Sequence, residues 1–247
     1  KMDCSIAIDR GNSSVKLSAF DKSQLICTER VDALTAILLE EWKARFGAEK
    51  AIMSSVAGDD SKVAGILDEI FGKWLILDNE LPLPLQIYYR TPNTLGRDRI
   101  AAAVGASALF PERNMLVVDT GTAITFDLVT SDRRFIGGNI APGVTTRFAS
   151  LKHFCQRLPL VDEEGETPLV GIDTQTAIRS GVILGVVAEV QYMADRLAKE
   201  YGDLFLVITG GDADIIGRYL ASEYKYKIVN DLVAIGLNRI LLYNEEL

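Results

Sequence analysis

The chain has 247 residues, of which 48% are hydrophobic and 24% are charged, and its formal net charge is −8. This length fits one large domain or two domains of roughly 110 to 130 residues, and the apolar fraction is ample for a buried core. The acidic balance excludes a general nucleic-acid surface, although it leaves room for a local basic pocket that binds an anion.

The lack of a predicted targeting signal and the use of cysteine together indicate the compartment of the protein. No apolar run approaches the roughly 18 residues that a membrane span needs, and the N-terminal residues lack a signal-peptide pattern. The cysteines, Cys4, Cys27 and Cys155, are scattered and have no CxxC spacing. This usage favours reduced thiols over a disulfide framework or a zinc site, so we expect a cytoplasmic protein.

The first half of the chain predicts an α/β unit with a mixed sheet. The predicted strands cover residues 4–8, 15–20, 24–30, 50–56 and 74–77, and residues 9–14 form a polar turn. Helices are predicted over 33–46, where apolar residues recur at helical spacing before Gly47, and over 60–72. Hairpin strands followed by alternating helix and strand are typical of an α/β unit.

A segment rich in proline, 81–92, is predicted to be extended, and a helix from about 100 to 109 follows it. Asp98 lies at the start of this helix, where one interpretation is simple N-capping. Arg97 and Arg99 flank Asp98, so two cations and one carboxylate lie together where the chain reverses direction. We therefore favour a functional role for Asp98, as the general base of a reaction.

The second half opens with Leu116–Leu128, which predicts a strand, a tight polar turn and a second strand. Gly121 at the tip lets a backbone approach a ligand, and N–H groups in such a turn can cradle phosphate oxygens beside the Thr122 hydroxyl. Asp119, which emerges from a buried strand, can hold or orient a cation. The alternative is an ordinary hairpin with a capping aspartate.

The same layout occurs near the N-terminus, over residues 6–17. Asp9 and Gly11 of this copy match Asp119 and Gly121 of the second. An Asp-x-Gly hairpin at the start of each half indicates duplication. We therefore predict two similar domains, 1–113 and 114–247, which face each other across a cleft.

The remaining elements of the second half are predicted from spacing and glycine positions. A strand and loop are expected over 135–143, helices over 144–158, from 173 to about 201 and over 232–243, and a strand over 205–208. The turn Thr209–Ala213 suits an adenosine or a phosphate, and the alternative is a plain β-to-α connection. The single histidine, His153, excludes most His-centred triads and is expected on the surface of a helix.

Two Asp-Gly turns, a later Gly-Gly turn and the lack of a Walker A lysine motif favour a nucleotide clamped between domains. Phosphoryl transfer needs positioning, a cation on the phosphates and a base for the acceptor hydroxyl. Asp9 and Asp119 are candidates for the shell of Mg²⁺ or another cation. Asp98 is the candidate base, and Lys16 or Arg99 can offset developing negative charge.

Five motifs taken together resemble the type III pantothenate kinase family. They are Asp9-x-Gly11-Asn12-Ser13-x-x-Lys16, Gly96-x-Asp98-Arg99, Asp119-x-Gly121-Thr122-Ala123, Gly171-x-x-Thr174 and Thr209-Gly210-Gly211-Asp212. No single motif is specific, but five in the family's order over nearly the whole chain are highly so. The family belongs to the actin, Hsp70 and sugar-kinase superfamily, whose duplicated ribonuclease-H-like domains agree with the repeat described above.

The resemblance implies two sets of ligand-binding residues. ATP would be bound by Asp9, Arg10, Gly11, Asn12, Ser13, Ser14, Val15, Lys16 and Thr122. Pantothenate would be bound by Tyr89, Gly96, Arg97, Asp98, Arg99 and Thr174. Within the second set, Asp98 would deprotonate the primary hydroxyl of pantothenate, and Arg99 would lie near its carboxylate.

The resemblance also implies cofactors, a partner and a product. Asp119 matches the family's ligand for a monovalent cation, potassium or ammonium, and Mg²⁺ would accompany ATP. Members form homodimers with pantothenate near the interface, so the Thr174 contact can come from the neighbouring subunit. The implied reaction is ATP-dependent phosphorylation of pantothenate to 4'-phosphopantothenate, the first step of coenzyme A biosynthesis.

The sequence departs from the family's pattern at two positions, and two alternative functions stay open. Ser13 stands where the family usually has threonine, which keeps the hydroxyl, and Arg10 occupies a variable position beside the phosphates. The chain could instead be a kinase for another small hydroxylated substrate, or a non-catalytic nucleotide-binding regulator on the same fold. The presence of Asp98 favours an enzyme, because a scaffold has no need of a base there.

Overall fold

A computed structural model describes residues 3–11, 15–55 and 60–247 of the chain. The strands are β1 (Cys4–Arg10), β2 (Val15–Asp21), β3 (Gln24–Val31), β4 (Lys50–Ser55), β5 (Lys73–Ile76), β6 (Gln86–Ile87), β7 (Asn114–Thr120), β8 (Ala123–Val129), β9 (Arg134–Pro142), β10 (Leu204–Thr209) and β11 (Tyr226–Ile228). The helices are α1 (Ala36–Phe46), α2 (Ser61–Ile70), α3 (Arg97–Leu109), α4 (Val144–Phe154), α5 (Thr174–Tyr201), α6 (Ala213–Tyr219) and α7 (Leu232–Glu246). A 3₁₀ turn, Pro92–Thr94, precedes α3.

The chain packs as two units. The first comprises Lys1–Pro111, Arg133–Phe135 and Asp231–Leu247, and the second comprises Glu112–Asp132 and Ile136–Asn230. The predicted ranges 1–113 and 114–247 differ from this packing at the C-terminus, because α7 packs with the first unit. As a division into duplicated domains, the predicted ranges stay a prediction.

The sheet of the first unit has the strand order β3-β2-β1-β4-β5. β1, β2 and β3 form an antiparallel meander, whereas β4 lies parallel to β1 and β5 lies parallel to β4. Ile6 and Ile8 of β1 belong to a buried cluster that includes Leu39 and Trp42 of α1 and Leu67 of α2. One face of this sheet is therefore covered by α1 and α2.

The opposite face of the same sheet meets α7. Ser5 on β1 donates a hydrogen bond from Oγ to Asn238 Oδ1 at 2.7 Å, and Lys50 on β4 donates to Glu245 Oε2 at 2.6 Å. Because side chains alternate between the two faces of a strand, residues two and four positions after Ser5 and Lys50 share this face.

Two glycines allow α3 and α7 to pack with their backbones in contact. A Cβ atom on Gly105 would lie 2.5 Å from the carbonyl oxygen of Leu232, and one on Gly236 would overlap the carbonyl of Ala101. Larger residues at either position would push the helices apart. This close packing fixes α3, the helix whose first turn carries Asp98.

Local signals set the ends of α1. Thr35 caps the helix by accepting a hydrogen bond from the Leu38 N–H at 3.2 Å, so the helix begins at Ala36, three residues after the predicted start at 33. Gly47 adopts the left-handed conformation, with φ of 65°, and confirms the predicted stop.

The second unit repeats the strand order of the first. Its strands lie in the order β9-β8-β7-β10-β11, with β8 antiparallel to β7 and with β10 and β11 parallel. β6 pairs with Arg134 and Phe135, the first residues of β9, which belong to the first unit. The repeated order confirms the predicted fold class, an α/β fold of two duplicated ribonuclease-H-like domains.

α5 is the longest helix of the described chain. By length and composition it could cross a membrane, and half of the qualifying 18-residue window is buried. The prediction that no segment approaches that length was therefore wrong. The buried residues Ile183 and Val186 of α5 share one core cluster with Leu116 of β7 and Leu206 of β10. This packing is typical of a core helix.

Candidate functional site

In the first unit, Asp9 lies near the carboxyl end of β1 and sits between two polar neighbours. Its Cα pairs with that of Lys16 on the antiparallel strand β2 and with that of Ser54 on the parallel strand β4. The predicted turn of 9–14 therefore starts later than expected, because β1 continues through Arg10. As a consequence, Asp9 is held by a strand ladder on both sides.

The electrostatics of the first unit bring Asp9 and Asp98 together. Burial raises the pKa of Asp9 from the ordinary value of 3.8 to about 6, and the nearby Asp98 carboxylate adds to the rise. The positive charges of Lys16 and Arg30 act in the opposite direction. Two carboxylates and a lysine thus share one environment, and a carboxylate with a strongly raised pKa marks a candidate functional site.

Asp98 does not cap α3. Gly96 occupies the N-cap position without a side-chain cap bond, and Asp98 lies in the first helical turn, where its Oδ1 accepts a hydrogen bond from the Arg99 N–H at 2.9 Å. The capping alternative is therefore wrong in detail. A Cβ atom on Gly96 would lie only 2.5 Å from Asp98 Oδ1, so a glycine here leaves room for the carboxylate.

Arginine and aromatic side chains surround this turn. The buried Arg99 guanidinium lies 5.7 Å from the ring centre of Tyr89 and 5.8 Å from that of Phe135. Arg97 donates a hydrogen bond to Asn79 Oδ1 at 2.7 Å, and its buried Nη1 has no partner among the described residues. Guanidinium groups beside an aromatic wall suit a small carboxylate ligand.

Of the remaining predicted residues of the first loop, two are held by acidic partners, two are described by their burial, and three lie outside the described residues. Lys16 Nζ lies 3.3 Å from Asp231 Oδ1, and Arg10 pairs with Asp60. Val15 is buried and Gly11 is half-buried. The predicted ATP contacts of Asn12, Ser13 and Ser14 lie outside the described residues.

In the second unit, the tip of the β7–β8 hairpin is fixed by its neighbours. The Thr122 carbonyl accepts hydrogen bonds from the Gly143 N–H at 2.9 Å and from Thr146 Oγ1 at 2.7 Å, whereas the Thr122 side chain is exposed. Both donors belong to the start of α4. This arrangement confirms the predicted strand–turn–strand and leaves the Thr122 hydroxyl at the surface of the unit.

Asp119 packs against a glycine of the turn after β10. Gly210 has a φ of 95°, and a Cβ atom there would lie 2.6 Å from Asp119 Oδ1. Thr120 Oγ1 donates to the Thr209 carbonyl at 2.7 Å and ties the hairpin to the same turn. In the described parts of the chain, no group of three or more His, Cys, Asp or Glu residues is placed to hold a metal ion.

Thr174 is the first residue of α5 and is exposed. The preceding Asp173 accepts a hydrogen bond from the Thr176 N–H at 2.8 Å, and the Thr176 hydroxyl bonds back, which forms a capping box. The capping box therefore satisfies the helix start, and the Thr174 side chain is exposed to solvent. His153 is exposed on α4, as predicted.

The first unit therefore brings together Asp9, Lys16 and Asp98 by charge, and Tyr89 and Arg99 by stacking. Thr122, Asp119 and Thr174 belong to the second unit. Sequence reasoning missed the residues that support the site, namely Ser54, Asn79, Phe135 and Asp231. These positions lie far from the motifs along the chain, and only strand pairing or side-chain contact relates them to the site.

Two sheets of equal strand order, each opened by an Asp-x-Gly hairpin, define a fold shared by sugar kinases and related ATPases. A ROK hexokinase from Thermus thermophilus has a TM-score of 0.58 at 16% identity, with 98% of this chain and 99% of that chain covered. The ADPNP-bound activator of 2-hydroxyisocaproyl-CoA dehydratase from Clostridium difficile has a TM-score of 0.56 at 12% identity, with coverage of 99% and 98%. At these identities the likeness shows the fold alone.

Sequence comparison identifies the family. The family model described as Type III pantothenate kinase matches residues 5–196. A type III pantothenate kinase from Phocaeicola vulgatus is 38% identical over 244 residues, which cover 98% of this chain and 99% of that protein. One from Porphyromonas gingivalis is 37% identical over 246 residues, with coverage of 98% and 100%. The chain belongs to the type III pantothenate kinase family and is a phosphotransferase.

Proposed function

We propose that the chain transfers the γ-phosphoryl group of ATP to the primary hydroxyl of pantothenate and forms 4'-phosphopantothenate, the first product of coenzyme A biosynthesis. The observation that carries this proposal is the cluster of Asp9, Lys16 and Asp98 in a chain that belongs to this kinase family. The cluster supplies a base, a cation and a second carboxylate, which together meet the needs of phosphoryl transfer.

Asp98 is the proposed general base. It accepts the proton of the pantothenate hydroxyl while that oxygen forms a bond to the γ-phosphorus, and the bond from phosphorus to the β–γ bridging oxygen breaks to release ADP. The carboxylate of Asp98 is held by the Arg99 N–H and by the space that Gly96 leaves. A base fixed in this way needs no reorientation when the acceptor binds.

Asp9 and Lys16 are proposed to serve the phosphates. When bound with ATP, Mg²⁺ would neutralise negative charge on the phosphates. The half-buried Asp9 carboxylate fits such an ion, because a cation would offset the desolvation and the Asp98 charge that raise its pKa. Lys16, held by Asp231, offsets negative charge on the phosphates. We include Arg10, Gly11, Asn12, Ser13, Ser14, Val15 and Thr122 in the proposed ATP site.

The proposed pantothenate site is the aromatic and arginine cluster beside Asp98. Arg99, stacked on Tyr89 and Phe135, pairs with the pantothenate carboxylate, and Arg97 has one buried N–H group still to satisfy among the described residues. An unpaired buried donor costs about 1–3 kcal/mol, and a bound anion would recover this cost. Tyr89 and Gly96 complete the wall of this site.

Asp119 is proposed to bind a monovalent cation, potassium or ammonium. The carboxylate lies beside the backbone of Gly210, and carboxylate oxygens are ligands that hard cations accept. The proposal predicts a dependence of turnover on potassium that the Asp119→Asn variant loses.

A homodimer is proposed with Thr174 near its interface. Exposed large apolar side chains cluster along the sequence just before this threonine, and their exposed fractions are high. These residues are Phe154, Leu160, Leu169, Val170 and Ile172. Exposed apolar groups at this density are typical of a surface that another protein covers. A cytoplasmic location is consistent with this assignment and stays part of the proposal.

The experiment that tests the function measures formation of 4'-phosphopantothenate from ATP and pantothenate, with and without potassium. A panel of other small hydroxylated acceptors, sugars and hydroxy acids, runs beside it. We expect transfer to pantothenate only. If the protein binds ATP and phosphorylates another acceptor, or none, the pantothenate assignment fails, and in the second case the regulator becomes the better account.

A further inference from the structure

Ser54 carries a buried hydroxyl that nothing in the described structure satisfies. The residue is 0% exposed, and its Oγ has no hydrogen-bond partner among the described residues. Such an orphaned group destabilises the fold relative to an apolar residue of the same shape. A serine kept at this position in the ligand-free fold is a net cost to stability.

The other buried serines of the same sheet are satisfied. Ser5 on β1 donates to Asn238, as described above, and Ser18 on β2 shares a hydrogen bond of 3.0 Å with Thr28 Oγ1. The sheet therefore accommodates buried hydroxyls by giving each a partner. Ser54 departs from that pattern, and its place in the sheet indicates the reason.

Strand register puts Ser54 next to Asp9. The two residues pair across the parallel strands β1 and β4, four positions after the pair of Ser5 and Lys50. Since Ser5 and Lys50 both point to the α7 face, Asp9 and Ser54 share that face. Lys16 pairs with Asp9 from the other side, so that Lys16, Asp9 and Ser54 form one polar row across three strands.

The internal repeat places a hydroxyl residue at the same point in the second unit. There Asp119 on β7 pairs with Thr209 on β10, as Asp9 pairs with Ser54. Both units therefore combine an aspartate at the end of their first strand with a neighbouring Ser or Thr. A hydroxyl at this point accompanies the aspartate in both copies, although the sequences around the two pairs differ.

We propose that Ser54 is a positioning residue for the metal ion that accompanies ATP. Its hydroxyl would accept a hydrogen bond from a water molecule in the Mg²⁺ shell, and Asp9 would anchor that shell. Mg²⁺ keeps several waters when proteins bind it, and these waters donate hydrogen bonds, so they need acceptors from the protein. The inference rests on the proposed kinase function and assigns a role to a residue outside the five motifs.

The test separates this role from a structural one by measuring stability and Mg²⁺ response in the same variants. Ser54→Ala removes an unsatisfied hydroxyl, so the melting temperature of the ligand-free protein stays equal or rises. Ser18→Ala, the control, removes a satisfied hydroxyl from the same sheet and lowers the melting temperature. The readout for the metal is the rise in melting temperature with ATP as Mg²⁺ is titrated, without pantothenate.

We expect Ser54→Ala to need about 10-fold more Mg²⁺ for half of the ATP-dependent rise. Ser54→Thr keeps the hydroxyl and retains the wild-type Mg²⁺ requirement, and Ser18→Ala also retains it. In turnover assays, Ser54→Ala raises KM for MgATP and leaves KM for pantothenate unchanged.

Two other outcomes are distinguishable. If the wild type responds to MgATP and Ser54→Ala responds at the same Mg²⁺ concentration, Ser54 has no role toward the metal and the inference is wrong. If the wild type shows no response to MgATP, the proposed ATP site fails, and the role of Ser54 fails with it.

Discussion

The two Asp-x-Gly hairpins share a strand pattern and differ in what surrounds the aspartate. Asp9 faces Lys16 across the hairpin, and burial together with the Asp98 carboxylate raises its pKa to about 6. At the matching position opposite Asp119 the second hairpin has Thr125, and the Asp119 carboxylate lies against the backbone of Gly210. Charges of Asp98, Lys16 and Arg30 act on the first aspartate, whereas the second lies beside the backbone of a glycine.

This difference indicates that the two copies of the duplicated fold have different roles. The first copy brings titratable groups together and raises the pKa of one of them, Asp9, as is typical of an active site. The second copy fixes its hairpin through the Thr122 carbonyl and the turn after β10. We infer that the first hairpin carries the chemistry and that the second supplies a rigid support for ligand and cation.

The largest expected effect comes from exchanging the two aspartates for asparagine. Asp9→Asn loses turnover by about 10³-fold, because the phosphates lose a preorganised charged partner. Asp119→Asn retains more activity and loses its response to potassium. Steady-state rates of both variants, with potassium varied, provide the measurement. Equal losses in the two variants, both insensitive to potassium, would refute the division of roles.

The next effect concerns the rigidity of the second hairpin. Gly210→Ala places a Cβ atom 2.6 Å from Asp119 Oδ1 and from Thr120 backbone atoms at a positive φ, so it destabilises the fold by about 2–4 kcal/mol. The matched control is Gly211→Ala, whose Cβ would meet nothing within 4 Å. Denaturant unfolding of both variants measures the difference. A Gly210→Ala protein as stable as the control would show that the backbone of the turn shifts to accept the added Cβ atom.

A smaller effect follows from the raised pKa of Asp9. A folded-state pKa of about 6 against 3.8 means that the native protein loses stability as pH rises through this range. Asp9→Asn cannot ionise, so the ligand-free variant is more stable than the wild type above pH 6, by up to about 3 kcal/mol. The gain disappears below about pH 4. Thermal unfolding of both proteins from roughly pH 3.5 to 8 measures this difference in stability.

A gain for Asp9→Asn that is equally large at acid pH would have another cause than carboxylate ionisation. Asp21→Asn on the same hairpin is the control, since this carboxylate lies at the opposite end of the ladder and accepts the Asp3 N–H.

The smallest effect tests the hairpin tip. Thr146→Ala removes the hydroxyl that donates to the Thr122 carbonyl at 2.7 Å and costs about 1 kcal/mol of stability. Thr145→Ala, one residue earlier on α4 and exposed, is the control and stays near the wild type. Unfolding curves compare the two variants. Equal stabilities would mean that the Gly143 N–H alone holds the tip.

Local patterns in the sequence allowed the hairpins and most helices to be predicted. Apolar alternation around Asp119 and Gly121 specifies a strand, a tight turn and a strand, and Gly47 ends α1 because only a residue tolerant of positive φ fits there. Asp98 was correctly placed at a helix start. The sequence did not show that Asp98 lies inside the first turn and not at the N-cap, because the N-cap position depends on the backbone at Gly96.

Contacts between distant segments set the features that sequence reasoning missed. The packing of α7 with the first unit depends on Gly105 and Gly236, which are 131 residues apart in the chain and carry no local signal of their pairing. Phe135 stacks on Arg99 from a strand that follows the second hairpin. Ser54 reads as an ordinary strand residue until the register of β1 and β4 places it beside Asp9.

The most direct test of the account measures phosphoryl transfer and MgATP binding in one preparation of Asp98→Asn. Asp214→Asn, the same change in the first turn of α6, is the control. We predict that the single-turnover rate with pantothenate falls by about 10³-fold in Asp98→Asn while the dissociation constant of MgATP changes little. A variant that still transfers phosphate at nearly the wild-type rate would contradict the assignment of Asp98 as the base.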